Sequence, residues 1–235
     1  MACCINGGRL TDFFLRALFL ALVNVTAPHI YAQPGPVGSW AMYFGNQAIT
    51  PDWTLWNEVQ IRQHNLVGDL HQVIIRAGIG HNLTPGNNNV LMGYGFFHSQ
   101  NYIGGGDEKI TVTEHRLFQQ FIHRHTIDRA AIQHRVRTEE RFLATGFRAR
   151  LRYLLGVNIP LNTDGMREGA VYASAYNELF LVPDVRSLDQ NRIYAAIGYV
   201  FHPAMRAELG VMRQSTQLAS RDILQLAVFN NIALY

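Results

Sequence analysis

The apolar and polar positions of the chain alternate with a period of two, most clearly over residues 132–157. On each side of a short turn at 144–146, every second position is polar and the positions between are mostly aliphatic or aromatic. The polar positions are Gln133, Arg135, Arg137, Glu139 and Arg141 before the turn, and Arg148, Arg150 and Arg152 after it. This pattern predicts two antiparallel strands joined by a tight turn, with a row of guanidinium groups on one face.

The same alternation, interrupted by turn signals, predicts an all-β chain. The predicted strands lie at 38–48, 53–65, 71–82, 89–102, 111–126, within the 132–157 hairpin, and at 170–182, 192–202, 205–215 and 221–235. We predict an antiparallel up-and-down transmembrane β-barrel of about ten to twelve strands. The pattern gives eleven strands, but single-chain bacterial barrels have even numbers, so we expect ten or twelve. A helix over 114–143 is the alternative, although its apolar stripe is broken and it has no clear cap.

A face of arginines opposite a face of apolar groups indicates a membrane barrel with a polar lumen and a lipid-facing surface. Trp53 and Trp56, near a strand end, are predicted to belong to an aromatic girdle at the membrane interface. Inward glycines, among them Gly93 and Gly95, are expected to leave room for long arginines from neighbouring strands. A soluble barrel with apolar residues inside remains the alternative.

The first 32 residues resemble an export signal, and residues 33–235 are predicted to form a single barrel domain. Arg9 and Arg16 precede the apolar run at 17–23, and a small-residue cleavage site follows at 31–33. An uncleaved anchor helix is the alternative, although the run is shorter than the roughly 20 residues that a span needs. Both cysteines lie in this segment, so the mature chain has no disulfide, thiolate metal site or thiol nucleophile. We therefore expect export to the bacterial outer membrane, with its lipid as a partner.

The formal net charge of +3 raises nucleic acid as a partner. After the signal, however, Lys109 is the only lysine, whereas nucleic-acid surfaces mix lysine with arginine. Arginine suits rigid, bidentate pairing with carboxylates. We interpret the arginines as interior scaffolding and expect no nucleic-acid partner.

The predicted lumen network holds ten arginines, five glutamates and one glutamine. Its members are Glu58, Arg62, Arg76, Glu114, Arg116, Gln120, Arg135, Arg137, Glu139, Arg141, Arg148, Arg150, Arg152, Glu178, Arg206 and Glu208. In the leading hypothesis these residues fill and rigidify the lumen of a non-enzymatic, structural or accessory barrel. The second hypothesis is a narrow pore or lumen site for small anionic solutes, because arginine exceeds carboxylate.

The sequence carries no recognisable catalytic, cofactor or metal motif. His115, His123 and His125 share one parity on the predicted outer face, but no spacing requires a zinc site. His98 and Ser99 are adjacent and would point to opposite faces of one strand, which argues against a hydrolase dyad. We expect no cofactor and no enzyme activity, and an outer-membrane esterase or phospholipase is the third hypothesis.

Several short motifs together resemble the family named domain of unknown function 2490. They are Trp-Asn-Glu at 56–58, Glu-His-Arg with Gln-Gln within 114–120, Arg-Thr-Glu-Glu-Arg-Phe at 137–142, Arg-Tyr at 152–153 with Ile-Pro-Leu-Asn at 159–162, Tyr-Asn-Glu-Leu-Phe at 176–180 and Asp-Gln-Asn-Arg at 189–192. The resemblance covers nearly all of the mature chain and implies an exported outer-membrane β-barrel. The resemblance also implies a partner, the barrel-assembly machinery. This machinery recognises a C-terminal aromatic residue such as Tyr235. It implies no activity and no site residues.

Overall fold

The computed structural model describes residues 37–104, 106–183 and 187–234; the predicted signal peptide and Tyr235 lie outside these residues. Eleven strands and no α-helix occur in this part of the chain. They are β1 (Val37–Ala48), β2 (Trp53–Gln63), β3 (Leu70–Thr84), β4 (Asn88–Tyr102), β5 (Lys109–Ile127), β6 (Ala130–Leu143), β7 (Gly146–Pro160), β8 (Val171–Val182), β9 (Ser187–His202), β10 (Met205–Thr216) and β11 (Ser220–Asn230). The all-β prediction is confirmed, and the helix over 114–143 is excluded because β5 and β6 occupy it.

The strands form one closed barrel in which each strand pairs with its neighbours along the chain. All these pairs are antiparallel except the closing one, where β1 pairs with β11 in parallel, from Val37–Asp222 to Gly45–Asn230. Eleven strands that run up and down leave the first and last pointing the same way, so only a parallel pair can close the ring. The barrel prediction is therefore confirmed, whereas the even strand number and the purely antiparallel pairing were wrong.

The barrel has two ends, which we name by the residues that lie there. The Val37 end carries the connections after β2, β4, β6, β8 and β10, and the Asn230 end carries those after β1, β3, β5, β7 and β9.

The outer surface of the barrel is apolar. Large apolar side chains point outward from most of the strands; Ile75 is 52% exposed, Met92 63%, Ile193 59% and Leu209 57%. Alternate residues of the same strands point inward, so a strand that is apolar outside is largely polar inside. The strands therefore place most of their charge in the interior and most of their large aliphatic groups on the surface, although Arg213 and Asp222 form an exposed ion pair.

Aromatic residues share the interior with the charged ones. Trp56 packs edge-on against Phe118 with ring centroids 5.6 Å apart, and both are buried. The prediction that Trp56 belongs to an outer girdle was wrong, because its parity is that of Glu58, whereas Trp53 does point outward and is 48% exposed. Tryptophan occurs both in barrel interiors and on outer surfaces, and the parity of its position in the strand decides which of the two it occupies.

Inward glycines accommodate long side chains, as predicted. A Cβ added at Gly95 would lie 2.8 Å from Cγ of Arg76 and 3.0 Å from Phe97 Cε2. At Gly93 the same addition would meet the Phe118 ring and the backbone oxygen of Ala77. These contacts show that the absence of a side chain lets neighbouring strands fill the interior.

A hydrogen-bonded cluster anchors the β2–β3 connection, residues 64–69, at the Val37 end. The His64 amide donates to the Asp69 backbone oxygen (2.8 Å), and the Tyr102 hydroxyl donates to the Asp69 carboxylate (2.7 Å). Lys109 pairs with the same carboxylate, which is almost fully buried. The connection is therefore tied to β4 and β5 by side-chain contacts.

Candidate functional site

Twelve of the sixteen residues of the predicted lumen network are buried in the barrel interior. They are Glu58, Arg62, Arg76, Glu114, Arg116, Gln120, Arg137, Glu139, Arg150, Arg152, Glu178 and Glu208. Arg135, Arg141 and Arg206 are half-buried and also pair with interior carboxylates. Arg148 has the inward parity but is exposed at the start of β7, so its place in the network was a wrong prediction.

Glu139 is the centre of the largest charge cluster and is 1% exposed. Its carboxylate accepts hydrogen bonds from Arg116 Nη1 (3.2 Å), Arg150 Nη2 (2.8 Å) and Arg152 Nη1 (2.5 Å). These arginines come from β5 and β7, the two neighbours of β6, because inward side chains of adjacent strands converge on one level. Several charge-assisted bonds to one buried carboxylate hold three strands at a single point.

Glu178 on β8 is the centre of a second cluster. Arg152 Nη2 donates to its Oε1 at 2.6 Å and Arg135 Nη2 donates to the same oxygen at 2.7 Å. Arg192 Nη1 lies 3.6 Å from Oε2. Arg152 therefore bridges the clusters of Glu139 and Glu178. Arg192 was not among the residues predicted from the sequence, although its parity, opposite to that of Ile193, indicates an inward position.

Glu114 and Glu58 extend these two clusters into a charged belt. Glu114 accepts from Arg116 Nε (2.6 Å) and from Arg141 Nε (2.5 Å). Glu58 accepts from Arg76 and from the Gln60 amide. The buried ion pairs of this belt link strands on the β2–β9 side of the barrel, where they have little access to water.

Glu208 forms a separate site on the other side of the interior. It accepts hydrogen bonds from the hydroxyls of Tyr172 (2.9 Å) and Tyr194 (3.3 Å). Arg206 Nε lies 3.8 Å from its carboxylate, beyond hydrogen-bonding distance. Arg206 is therefore ion-paired with Glu208 without a hydrogen bond to it, and its Nε has no hydrogen-bond partner among the described residues.

Aromatic rings support several of the buried guanidinium groups. Cζ of Arg116 lies 3.6 Å from the centroid of Phe97, and Cζ of Arg152 lies 4.5 Å from that of Phe180. Cζ of Arg62 lies 3.6 Å from the centroid of Trp40. Stacking fixes each planar fork while its N–H edge stays free for oxygen acceptors. These aromatic contacts were not predicted from the sequence, because inward aromatic residues have the same parity as the arginines and no distinguishing spacing.

Some interior arginines have amides where others have carboxylates. Arg137 is 1% exposed and donates to Gln120 Oε1 from Nε (2.9 Å) and Nη2 (2.5 Å). Its Nη1 has no hydrogen-bond partner among the described residues and lies 4.0 Å from Glu139 Oε1. Arg62 and Arg124 also bond to glutamines. The interior therefore carries more positive charge than its carboxylates neutralise.

A cavity of about 910 Å³ lies within the barrel. Its lining extends from Asn87 and Thr126 at the Asn230 end to Gln72 and Gln214 near the Val37 end. Nine arginines and three glutamates line it: Arg62, Arg76, Arg116, Arg124, Arg135, Arg150, Arg152, Arg192 and Arg206, with Glu58, Glu178 and Glu208. This volume is large enough for a small solute, and its lining contains more arginine than carboxylate.

The histidine candidates all have the outward parity of β5, but His125 also belongs to the cavity lining. His123 and His125 have ring centroids 5.3 Å apart, and His134 lies 5.4 Å from His125. His115 Nδ1 lies 2.6 Å from the Tyr94 hydroxyl. No group of three or more histidine, cysteine or acidic residues in the described part of the chain is arranged to hold a metal ion.

His98 and Ser99 point to opposite faces of β4. Ser99 is buried inside, where its hydroxyl accepts a hydrogen bond from the Gln72 amide (2.6 Å). The two side chains are therefore not brought together.

Fold and site define a class of protein: a closed β-barrel with an apolar outer surface and an arginine-rich, carboxylate-crosslinked interior. Within the described ranges, no helix is long and apolar enough to cross a membrane. The family model described as protein of unknown function, DUF2490, matches residues 37–225, and the chain belongs to this family. No curated protein matches the chain.

Proposed function

We propose that this chain is a bacterial outer-membrane β-barrel protein whose interior binds a small anionic solute. The first part of this proposal is supported by the distribution of side chains across the wall, and the second by the composition of the cavity.

The outer-membrane location is supported by the apolar outer surface. Closing the ring through β1 and β11 gives every strand a partner on both sides, which a β-sheet in hydrocarbon requires. Exposed residues such as Ile193 and Val211 would be a large apolar patch on a soluble protein, and lipid would cover them.

Fractionation of the producing bacterium tests the location. We expect the protein in the outer-membrane fraction, with faster gel migration in unboiled than in boiled samples, as for closed barrels. Recovery in the soluble fraction without such a shift would contradict the location.

The anion-binding function is supported by one observation: nine arginines but only three glutamates line the cavity. The carboxylates of the wall, together with Glu114 and Glu139 behind it, neutralise part of this charge. The remainder attracts an anion small enough for about 910 Å³. A pure filler would be expected to pair its charges internally, because an uncompensated buried charge is costly.

Binding and conductance tests address this function. The purified full-length mature chain in detergent is titrated with inorganic phosphate and, separately, with succinate, in chloride-free buffer. We expect a higher unfolding temperature in the presence of the bound anion, because a ligand of the native state stabilises it. Anion-selective conductance in planar bilayers would indicate a pore, whereas binding without conductance would indicate a closed site.

A structural role is the second candidate, favoured by the dense belt around Glu139 and Glu178. Absence of both anion binding and conductance in a protein that still inserts into the membrane would favour it.

A further inference from the structure

We infer that the anionic group of the solute binds at Arg62, in a subsite that Arg192 and the Trp40 ring complete. This inference rests on the proposed anion-binding function and assigns its principal residue. The ligand class is a small oxyanion, either a carboxylate or a phosphate.

Arg62 is a buried cation without a carboxylate partner. It is 9% exposed, and no carboxylate among the described residues lies within 4.0 Å of its nitrogens. Its Nε donates to Gln60 Oε1 (2.9 Å) and its Nη1 donates to Gln72 Oε1 (3.0 Å). These amides orient the guanidinium group but leave its charge uncompensated.

The charged neighbours of Arg62 increase the excess of positive charge around it. Arg192, Arg76 and Arg116 are close enough to repel it, and Glu58 is the carboxylate that attracts it. Glu58 already accepts bonds from Arg76 and from an amide. Burying an ion without a counter-ion is strongly unfavourable, so a bound anion supplies the missing negative charge.

The geometry leaves one edge of Arg62 for a ligand. Nη2 makes no hydrogen bond to any residue in the described part of the chain, and Arg62 lines the cavity. Its guanidinium carbon lies 3.6 Å from the Trp40 ring centroid, so its plane is stacked and its N–H edge is fixed. A preorganised guanidinium edge suits the paired oxygens of a carboxylate or phosphate.

Arg192 approaches the same ring from β9, with its guanidinium carbon 4.9 Å from the Trp40 centroid. Its Nε donates to Gln214 Oε1 (3.2 Å), and Gln214 also lines the cavity. An oxyanion at Arg62 would thus have a second guanidinium and an amide group nearby. Arg124 also lacks a carboxylate, but it is only half-buried near the Asn230 end, where water can solvate it.

Two variants with the same change of charge test the subsite. Arg62→Gln removes the cation, and Arg148→Gln removes an arginine that is exposed at the Val37 end. Phosphate and succinate affinities are measured by titration calorimetry on folded, heat-modifiable protein. We expect Arg62→Gln to weaken binding of the recognised anion by about tenfold or more, because it removes a charge-assisted hydrogen bond. We expect Arg148→Gln to bind as the wild type does.

A second measurement separates a binding role from a structural one. In anion-free buffer Arg62→Gln should unfold at or above the wild-type temperature, since it removes an uncompensated charge. Added anion should stabilise the wild type and leave Arg62→Gln unchanged. If Arg62→Gln does not fold, Arg62→Lys carries the test; it keeps the charge but loses the planar fork, and we expect weaker binding.

The outcomes distinguish this subsite from the function on which it rests. Unchanged binding by Arg62→Gln or Arg62→Lys, or equal weakening by Arg148→Gln, would overturn the subsite while the proposed function stands. If the wild type binds neither phosphate nor succinate, both fail.

Discussion

Arg152 pairs with Glu139 along a diagonal of the sheet. The register places Arg150, and not Arg152, opposite Glu139, yet Arg152 Nη1 donates to Glu139 Oε1 at 2.5 Å. The diagonal reach lets the same side chain donate to Glu178 on β8 at 2.6 Å. The guanidinium group of Arg152 therefore links three strands, β6, β7 and β8, whereas each ladder of backbone hydrogen bonds links only two.

Replacing Glu139 with glutamine should destabilise the barrel strongly. The change leaves Arg116, Arg150 and Arg152 without their shared counter-charge, and breaking a buried ion pair costs about 3–5 kcal/mol. Urea unfolding in detergent or vesicles, followed by gel mobility, measures the loss. Glu140→Gln is the matched control, because the next residue is half-buried on the opposite face; we expect a change within about 0.5 kcal/mol. Equal effects of the two variants would show that the Glu139 cluster does not stabilise the fold.

Replacing Gly95 with alanine should disturb the arginine that crosses it. The new Cβ would lie 2.8 Å from Cγ of Arg76, which pairs with Glu58, so the side chain or the strand must shift. Overpacking of this kind costs about 1–3 kcal/mol. Gly165→Ala is the control, since nothing lies within 4 Å of the added atom. The same unfolding assay applies, and a wild-type midpoint for Gly95→Ala would contradict the packing argument.

The β2–β3 connection should loosen as pH falls. Burial lowers the pKa of His64, whose Nε2 donates to the Gln100 backbone oxygen at 2.8 Å. When the pKa of a histidine is lower in the folded state than in the unfolded state, the folded state is most stable at a pH above the unfolded pKa of about 6.5. As the pH falls below that value, the unfolded state binds a proton that the folded state does not bind, and this stability is lost. Protease cleavage near the exposed Val67 should therefore increase from pH 7.5 to 5.5.

His64→Gln removes the titrating imidazole but keeps a hydrogen-bond donor at this position. Comparing the wild type with this variant at each pH also corrects for the pH dependence of the protease itself. The cleavage ratio of wild type to variant should rise at the lower pH. A constant ratio would mean that His64 does not control the connection.

Strand parity predicted most of the interior because the side-chain period of a strand is fixed. Arg137 and Val136 are adjacent, and alternation alone sends one inward and the other outward. Parity gives the direction of a side chain but does not show whether a neighbouring strand covers it. For this reason parity wrongly predicted that Arg148 belongs to the lumen network. Pairing of β7 with β8 begins at Leu151, so the first residues of β7 lack that neighbour.

Closure and ion-pair partners depend on the whole barrel and could not be obtained from local pattern. The alternation pattern gave the observed eleven strands, and the even-number rule for antiparallel barrels led to the wrong expectation. The parallel β1–β11 pair, which joins segments far apart in the chain, allows an odd number, and no local pattern predicts it. The partner of Glu139 depends on strand tilt, as the diagonal contact of Arg152 shows. Arg192 was missed because the predicted strand began there, whereas β9 begins at Ser187 and places it well inside the wall.

A charge on the outer face tests the membrane location most directly. Leu209 points outward from β10 and is 57% exposed, so the proposed location places it against lipid. Leu209→Arg should destabilise the inserted barrel by about 2–4 kcal/mol if the residue lies near the bilayer midplane. Leu218→Arg is the control: this residue is 97% exposed in the β10–β11 connection, and water would surround the new charge. Folding into lipid vesicles, scored by the mobility of unboiled protein, should fall for Leu209→Arg alone. If both variants fold equally well, the apolar outer face is not covered by lipid and the arginine interior belongs to a barrel of a different environment.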